Sequence, residues 1–337
     1  MPESLTDQIN QQLSRVYSPI KIDIENLQRR LIQDVAPRDQ VIREPFAHLG
    51  ATRGKLIRPA IFFLAARAFG KVTENHRIGA HCVELVHVAS LIHDDVVDHS
   101  PMRRGRASLN ARFGDEKALL VGDYLFSRAL SLLSPLNSLD AYQCVSQSIV
   151  DASAGELRQL EFAFSPDVSE KDYFDYVSRK TAGLFKLACE LSAIVSGLSD
   201  DTRNVLAQFG VNFGIAFQVA DDCADLFNNV EDEGKPVMKD VREGQFTLPV
   251  LRLFQLRGRD WVRKWLAELS ASGETAIARL SEELRCQGVS DYCIEQGEFF
   301  VDRARRAVLS LDSDSVEELV SVCDVLSKKL GCLAEKV

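Results

Sequence analysis

The chain has 337 residues, with 40 Lys+Arg against 49 Asp+Glu and a formal net charge of −9. A hydrophobic share of 46% with 26% charged residues is globular composition and excludes a disordered chain. The acidic balance speaks against non-specific nucleic-acid binding, which calls for a basic surface.

Residues Met1–Gln8 carry neither a basic segment nor an apolar one, so no signal peptide is expected. No uninterrupted apolar run approaches the roughly 20 residues of a membrane span. Eight cysteines are scattered without a CxxC and read as reduced, mostly buried thiols, so the expected location is the cytoplasm. Proline is missing from 60–100, from 167–235 and after 249, which permits long helices. Only seven threonines occur and alternating apolar patterns are scarce, so strands have little support. Turn signals at Gly70, Ser134-Pro135, Ser165-Pro166-Asp167 and Gly197 divide the chain into helices of roughly 15–25 residues. With no repeat and no linker, the pattern predicts an all-α single domain over 1–337.

In chain order, the first chemistry is at Arg53-Gly54-Lys55-Leu56-Ile57-Arg58-Pro59. Lys55 and Arg58 stand three apart just before a helix beginning near Pro59, and such cations suit a diphosphate. A P-loop is excluded, because Gly50–Lys55 is one residue short and Leu56 stands where Ser or Thr is needed.

Segment 79–98 reads as a helix apolar almost all round, hence buried. Glu84, His87, Ser90, Asp94 and Asp98 recur at steps of three or four and form one polar stripe. Asp94, Asp95 and Asp98 make a DDxxD whose carboxylates repel one another unless a cation lies between them, and Mg²⁺ fits such oxygen ligands. A lone DDxxD would read more readily as an acidic helix end facing water. A basic turn, Arg103-Arg104-Gly105-Arg106, follows it directly. The histidines do not form a zinc site, since 81, 87, 93 and 99 are six apart and successive ones point about 240° from each other.

Lys180-Thr181 opens a further apolar helix whose N-terminal amides would suit a phosphate. Segment 205–227 then repeats the first design, with Gln208, Asn212, Gln218, Asp222 and Asp225 on a narrow stripe and a second DDxxD at Asp221, Asp222 and Asp225. Two apolar helices ending alike change the weighing. Facing each other, they would bring six carboxylates to one cavity mouth and hold several Mg²⁺ ions shared with substrate phosphates. Lys235 and Lys239 follow in a loop.

These segments resemble the trans-prenyltransferases, the polyprenyl diphosphate synthase family. The motifs are GKLIRP, HVASLIHDDVVDHSPMRRGR, GELRQ (155–159), KTAGLF, and FQVADDCAD with GKPVMKDVREGQFTLP, spanning about 50–251. The resemblance implies a bundle of long helices around a deep central cavity (the isoprenoid synthase fold), usually as a homodimer. It implies head-to-tail condensation of isopentenyl diphosphate onto an allylic diphosphate, and a peripheral membrane contact for product release is among the expectations. Carried over by motif, Asp94, Asp98 and Asp221 would ligate Mg²⁺, about three ions per site, with Asp95, Asp222 and Asp225 in support. Arg103, Lys180, Thr181, Gln218 and Lys235 would hold the allylic diphosphate. Lys55, Arg58, His87 and Arg104 would hold isopentenyl diphosphate. Met238-Lys239-Asp240 departs from the Gly-Ser-Asp of many members, so Lys239 has no assignment.

Chain length would be read beside the first DDxxD, at Ser90 and Val86, about 6 and 12 Å back along the helix, and at Ala89. Family members with short products commonly have bulky aromatics four or five residues before the motif. Here both are small, which implies a product longer than geranylgeranyl diphosphate, as in octaprenyl or heptaprenyl synthases. The alternatives are a short-chain farnesyl or geranylgeranyl synthase, a class I terpene cyclase, and a non-catalytic subunit of a heteromeric synthase. A cyclase needs no GKxxRP site and normally mixes Asn, Ser or Thr with Glu in its second motif. A non-catalytic subunit would be expected to lose aspartates, and both sets are complete here.

Overall fold

Long helices dominate the computed structural model, which describes residues 5–34, 40–50, 54–227, 238–286, 288–313 and 316–334. In chain order they are α1 (Leu5–Tyr17), α2 (Lys21–Asp34), α3 (Gln40–Gly50), α4 (Ile57–Phe69), α5 (Glu74–Val97), α6 (Leu109–Phe113), α7 (Asp115–Leu132), α8 (Leu139–Glu161), α9 (Glu170–Lys180), α10 (Ala182–Val195), α11 (Asp200–Phe227), α12 (Lys239–Arg242), α13 (Leu248–Arg257), α14 (Arg259–Ala271), α15 (Gly273–Cys286), α16 (Val289–Leu309) and α17 (Glu317–Ala334). Each turn signal falls at a break: Gly70 caps α4, a 3₁₀ turn covers Ser134–Leu136, and Gly197 adopts φ +66° after α10. The two motif helices begin five residues earlier than their apolar patterns. For α5 the reason is a capping box, in which Thr73 and His76 bond each other's backbone N–H groups. For α11, Ser199 Oγ accepts the Thr202 N–H at 3.3 Å.

Strand structure among the described residues is one minimal hairpin, β1 (Met102–Arg103) and β2 (Arg106–Ala107). Its central residues, Arg104 (φ 50°) and Gly105 (φ 74°), are both left-handed, as a type I′ turn requires. The basic RRGR run is therefore a rigid projection carrying an arginine in a conformation that favours glycine.

Two apolar clusters share α11. One gathers α4, α5, α7 and α10, and the other gathers α9 and α13–α16 around Trp265. Trp265 Nε1 donates to the Ala276 carbonyl at 2.9 Å, so the buried indole is satisfied. The α10–α11 contact is close because Gly210 and Gly214 face α10: a Cβ at Gly214 would lie 2.5 Å from the Ala182 Cα, the first residue of α10. Gly214→Ala should destabilise the protein by about 1–3 kcal/mol. Because it displaces the Lys180–Ala182 junction, it should also weaken diphosphate binding there; urea denaturation and inorganic-diphosphate titration check both.

The seven described cysteines are free, and five of them are buried. Among the described residues one stretch, Asp115–Leu136, is long and apolar enough to cross a membrane by length and composition, with 28% of its most apolar window buried. Asp123 and Arg128 lie within it, and its outer face exposes Leu119 and Leu120.

Candidate active site

A cavity of about 910 Å³ runs between the hairpin, α4, α5 and α7–α11. Its polar lining brings together Lys55, Arg58, His87, Ser90, Asp94, Arg103, Arg104, Lys180, Thr181, Gln218, Asp221 and Asp222. Residues predicted from five stretches of sequence thus share one wall system.

At the acidic end, the three aspartates of the first motif have separate duties. Asp95 is buried and bound by Arg103, whose Nε donates to its two carboxylate oxygens at 3.0 and 3.1 Å. Asp94 faces the cavity with Lys180 Nζ 4.0 Å away. Asp98 caps α5 and accepts from Gln245 Nε2 at 3.2 Å. Gln245 in turn accepts from Gln159 Nε2 at 2.6 Å, and Gln159 accepts from Lys180 Nζ at 3.1 Å. Lys180 also ion-pairs with Glu156. Burial pushes the Asp94 carboxyl above the usual range, Lys180 opposes this, and Glu156 and Asp98 add to it. Burial also works against charge on Lys180, but Asp94 and Glu156 outweigh it and hold its pKa up.

On α11, Asp222 is buried and accepts from Tyr173 OH and Gln218 Nε2, both at 2.6 Å. Thr181 Oγ1 donates to Gln218 at 2.8 Å, which ties the start of α10 to this carboxylate. Burial pushes the Asp222 carboxyl well up despite these bonds. Asp221 is more open and is ion-paired with Lys329 of α17. Asp225 is exposed and does not line the cavity. Of the six carboxylates, Asp94, Asp221 and Asp222 line this cavity, and among the described residues no three acidic, His or Cys side chains form a ready metal cage. The helical spacing separates them, with Asp95 and Asp222 turned into structural bonds. Asp94 and Asp221 fit a divalent cation nonetheless. They are oxygen donors on one cavity, their counter-charge is a lysine each, and Mg²⁺ commonly completes its shell with water and phosphate.

The opposite end is cationic. Arg58 donates to His87 Nε2 at 3.2 Å and lies over the Phe185 ring at 4.4 Å from its centroid. Its Nε and the His87 Nδ1 are buried without a hydrogen-bond partner. Desolvation lowers the Arg58 pKa to about 10, which leaves it charged at neutral pH. Burial, reinforced by Arg58, Arg104 and Arg103, pushes His87 well down, so it is neutral and offers an N–H. Buried donors lacking acceptors call for an anion. Lys55 is exposed, and its carbonyl accepts from Tyr17 OH at 2.9 Å. The Arg104 guanidinium packs on Gly54, where a Cβ would stand 2.8 Å from it. Leu56 (φ 51°), between Lys55 and Arg58, is a second left-handed residue at this end.

Below these cations lies Glu84, 4% exposed and pushed by burial to about 7, with Arg58 and Arg104 opposing. The folded chain thus holds this proton more tightly than the unfolded one. Between pH 4.5 and about 7 the folded state binds more protons, so stability falls as pH rises through that window. Glu84→Gln should escape the loss. Its stability relative to the parent should improve by about 2–3 kcal/mol from pH 5 to pH 8 in substrate-free urea titrations.

Of the predicted chain-length residues, only Ser90 lines the cavity, with its Oγ bonded to the His87 carbonyl at 2.8 Å. Val86 and Ala89 are buried in the core and do not reach it. The apolar lining comes instead from Leu91, Val97, Phe126, Leu157, Leu160, Leu184 and Phe217. Lys235 and Arg53 lie outside the described residues. The sequence reading missed Glu84 as a buried carboxyl, Glu156 as a half-buried partner of Lys180, Gln245 as the Asp98 partner, and Lys329. The first lies on the polar stripe and the second inside the GELRQ motif. Nothing local marks the last.

The family model for polyprenyl synthetase matches residues 39–284. Octaprenyl diphosphate synthase of Escherichia coli K12 is 37% identical over 229 residues, 68% of this chain and 71% of that one. Geranylgeranyl diphosphate synthase of Sulfolobus acidocaldarius is 32% identical over 298 residues, 86% and 87% of the two chains. The crystal structure of polyprenyl synthase from Caulobacter crescentus CB15, complexed with calcium and isoprenyl diphosphate, superposes with a TM-score of 0.86 at 30% identity, covering 94% of this chain and 97% of that one. With acidic and cationic ends facing one cavity in this all-α frame, the chain belongs to the polyprenyl synthetase family and is a trans-prenyltransferase.

Proposed function

We propose that the protein condenses isopentenyl diphosphate head-to-tail onto an allylic diphosphate, with Mg²⁺ as its divalent metal and a long all-trans product. The observation that carries this reading is the pair of unpartnered buried donors, Arg58 Nε and His87 Nδ1, across one cavity from Asp94 and Asp221. One end accepts an anion and the other a cation, as two diphosphate substrates and a metal require.

Arg58, His87, Lys55 and Arg104 bind isopentenyl diphosphate and hold its double bond toward the acidic end. Lys180, Thr181, Gln218 and Arg103 hold the allylic diphosphate, and Lys235 is placed with them by motif alone. Asp94 and Asp221 on the cavity wall, with Asp98 by motif, would hold about three Mg²⁺ ions, which would supply Lewis-acid stabilisation of the charge developing on the departing diphosphate. Asp95 keeps Arg103 aimed, Asp222 keeps Gln218 aimed, and Asp225 lends negative charge from outside. Lys180 adds a fixed positive charge where the allylic C–O bond breaks. The new C–C bond forms at the allylic carbon, and the proton released from the isopentenyl unit passes to the diphosphate just freed. The apolar wall at Phe126, Leu184 and Phe217 keeps water from the cation.

A small residue at Ser90, below Asp94 on the cavity wall, supports a long product, as does the octaprenyl relative. The geranylgeranyl relative supports the shorter alternative. A homodimer is supported by the exposed Leu119 and Leu120 of α7 and by Val150 of α8, apolar surface that a second copy would cover. The chain would work in the cytoplasm as one domain, releasing its product at a membrane surface.

The test is incubation of the protein alone with Mg²⁺, labelled isopentenyl diphosphate and farnesyl diphosphate, followed by chromatography of the dephosphorylated products. Chains longer than geranylgeraniol are expected, and Ser90→Phe should shorten them. Products ending at geranylgeraniol would refute the long-chain reading, and no elongation without a partner subunit would refute self-sufficiency.

A further inference from the structure

The last helix reaches the acidic end. Arg67, in the final turn of α4, donates to both carboxylate oxygens of Glu318 at 3.1 Å, which pins the start of α17 at the far side of the bundle. From there α17 runs back to the cavity, where Lys329 Nζ ion-pairs with Asp221 and stands 5.5 Å from the centroid of the Phe217 ring. The backbone here is fixed by neighbours on either side. Leu330 is fully buried against Gly297 of α16, where a Cβ would lie 2.8 Å from its methyl, and Leu333 is buried in the second cluster. The helix backbone is therefore anchored, while the lysine side chain is held by its ion pair and keeps 24% of its surface exposed.

Asp221 cannot serve a lysine and a divalent cation equally at once, because the two positive charges would meet at one carboxylate. We infer that Lys329 is an internal competitor for the metal site, a tethered cation that occupies Asp221 when no metal is bound and must be displaced before one binds. The inference rests on the reading of Asp221 as a metal ligand. It gives the C-terminal helix a function that no motif marks: it holds the second aspartate motif neutralised and in place while metal is absent, and sets the threshold of metal concentration at which the site fills. With the helix anchored, the released ammonium stays beside the acidic end.

Mn²⁺ binding to the substrate-free protein, followed by the electron paramagnetic resonance signal of the free ion, tests this. Lys329→Met keeps the length and apolar stem of the side chain without its charge, and should tighten Mn²⁺ binding about three- to tenfold, the range spanned by a partly exposed ion pair. Lys329→Arg should bind like the parent. In the parent, Mn²⁺ should also raise acetylation of the Lys329 amine by an N-hydroxysuccinimide ester, read by peptide mass spectrometry. Equal or weaker Mn²⁺ binding in Lys329→Met, or labelling of Lys329 indifferent to Mn²⁺, overturns the competitor. Binding in the parent that survives Asp221→Ala unchanged overturns instead the reading of Asp221 as a ligand, and the inference falls with it.

Discussion

Asp94→Ala should lower kcat/KM by about 10³-fold, the upper end of what the loss of one preorganised electrostatic contact costs, and leave the protein folded. Among the described residues Asp94 faces the cavity with Lys180 Nζ 4.0 Å away as its ion-pair partner. Burial already disfavours its charge, so removing the carboxylate takes away a destabilised group and not a structural tie. Asp95→Ala would be a different experiment, because it frees the guanidinium of Arg103. The check for Asp94 is steady-state kinetics beside a thermal melt. An inactive protein that melts no lower than the parent is the expected pair of results, and retained activity would refute the metal assignment.

Arg58→Met should separate function from stability still more sharply. The guanidinium is held by His87 and the Phe185 face, with Nε unpartnered. When a diphosphate arrives, the site gains charge-assisted bonds worth about 2–3 kcal/mol, so the variant's KM for isopentenyl diphosphate should rise by roughly 30- to 150-fold. Without substrate the cation is a liability, because a half-buried charge short of partners costs more than a methionine of similar reach. The substrate-free variant should therefore be more stable by about 1–2 kcal/mol in urea titrations. Inorganic diphosphate should raise the parent's thermal midpoint more than the variant's. A variant both weaker in binding and less stable would show that Arg58 is a structural residue first.

Much of this site is legible in the chain because its chemistry is written on helices. Period and spacing place Asp94, Asp98, Asp221 and Asp222 without knowledge of the packing, and Pro59 and Gly70 bracket α4. Distribution of duties among identical residues is not legible. Asp95 and Asp222 have the same spelling as Asp94 and Asp221, but Arg103 on the first strand of the hairpin and Tyr173 from α9 tie them into structural bonds. Packing decided the chain-length residues: Ser90 lines the cavity, while Val86, a turn deeper, and Ala89 are buried in the core. The hairpin escaped the strand search because two residues per strand are too short for alternation. Lys329 escaped because its only meaning is its distance from a residue more than a hundred positions away.

The left-handed backbone at Arg104 has a consequence for engineering. Glycine there would relieve about 1 kcal/mol of strain, much as methionine at 58 and glutamine at 84 would relieve buried charge. A redesign that scored only thermostability would choose all three, and the choices at 58 and 104 would remove two of the cations at the diphosphate end of the cavity. The hairpin tip and the floor beneath it are therefore positions to hold fixed while the rest of the bundle is optimised.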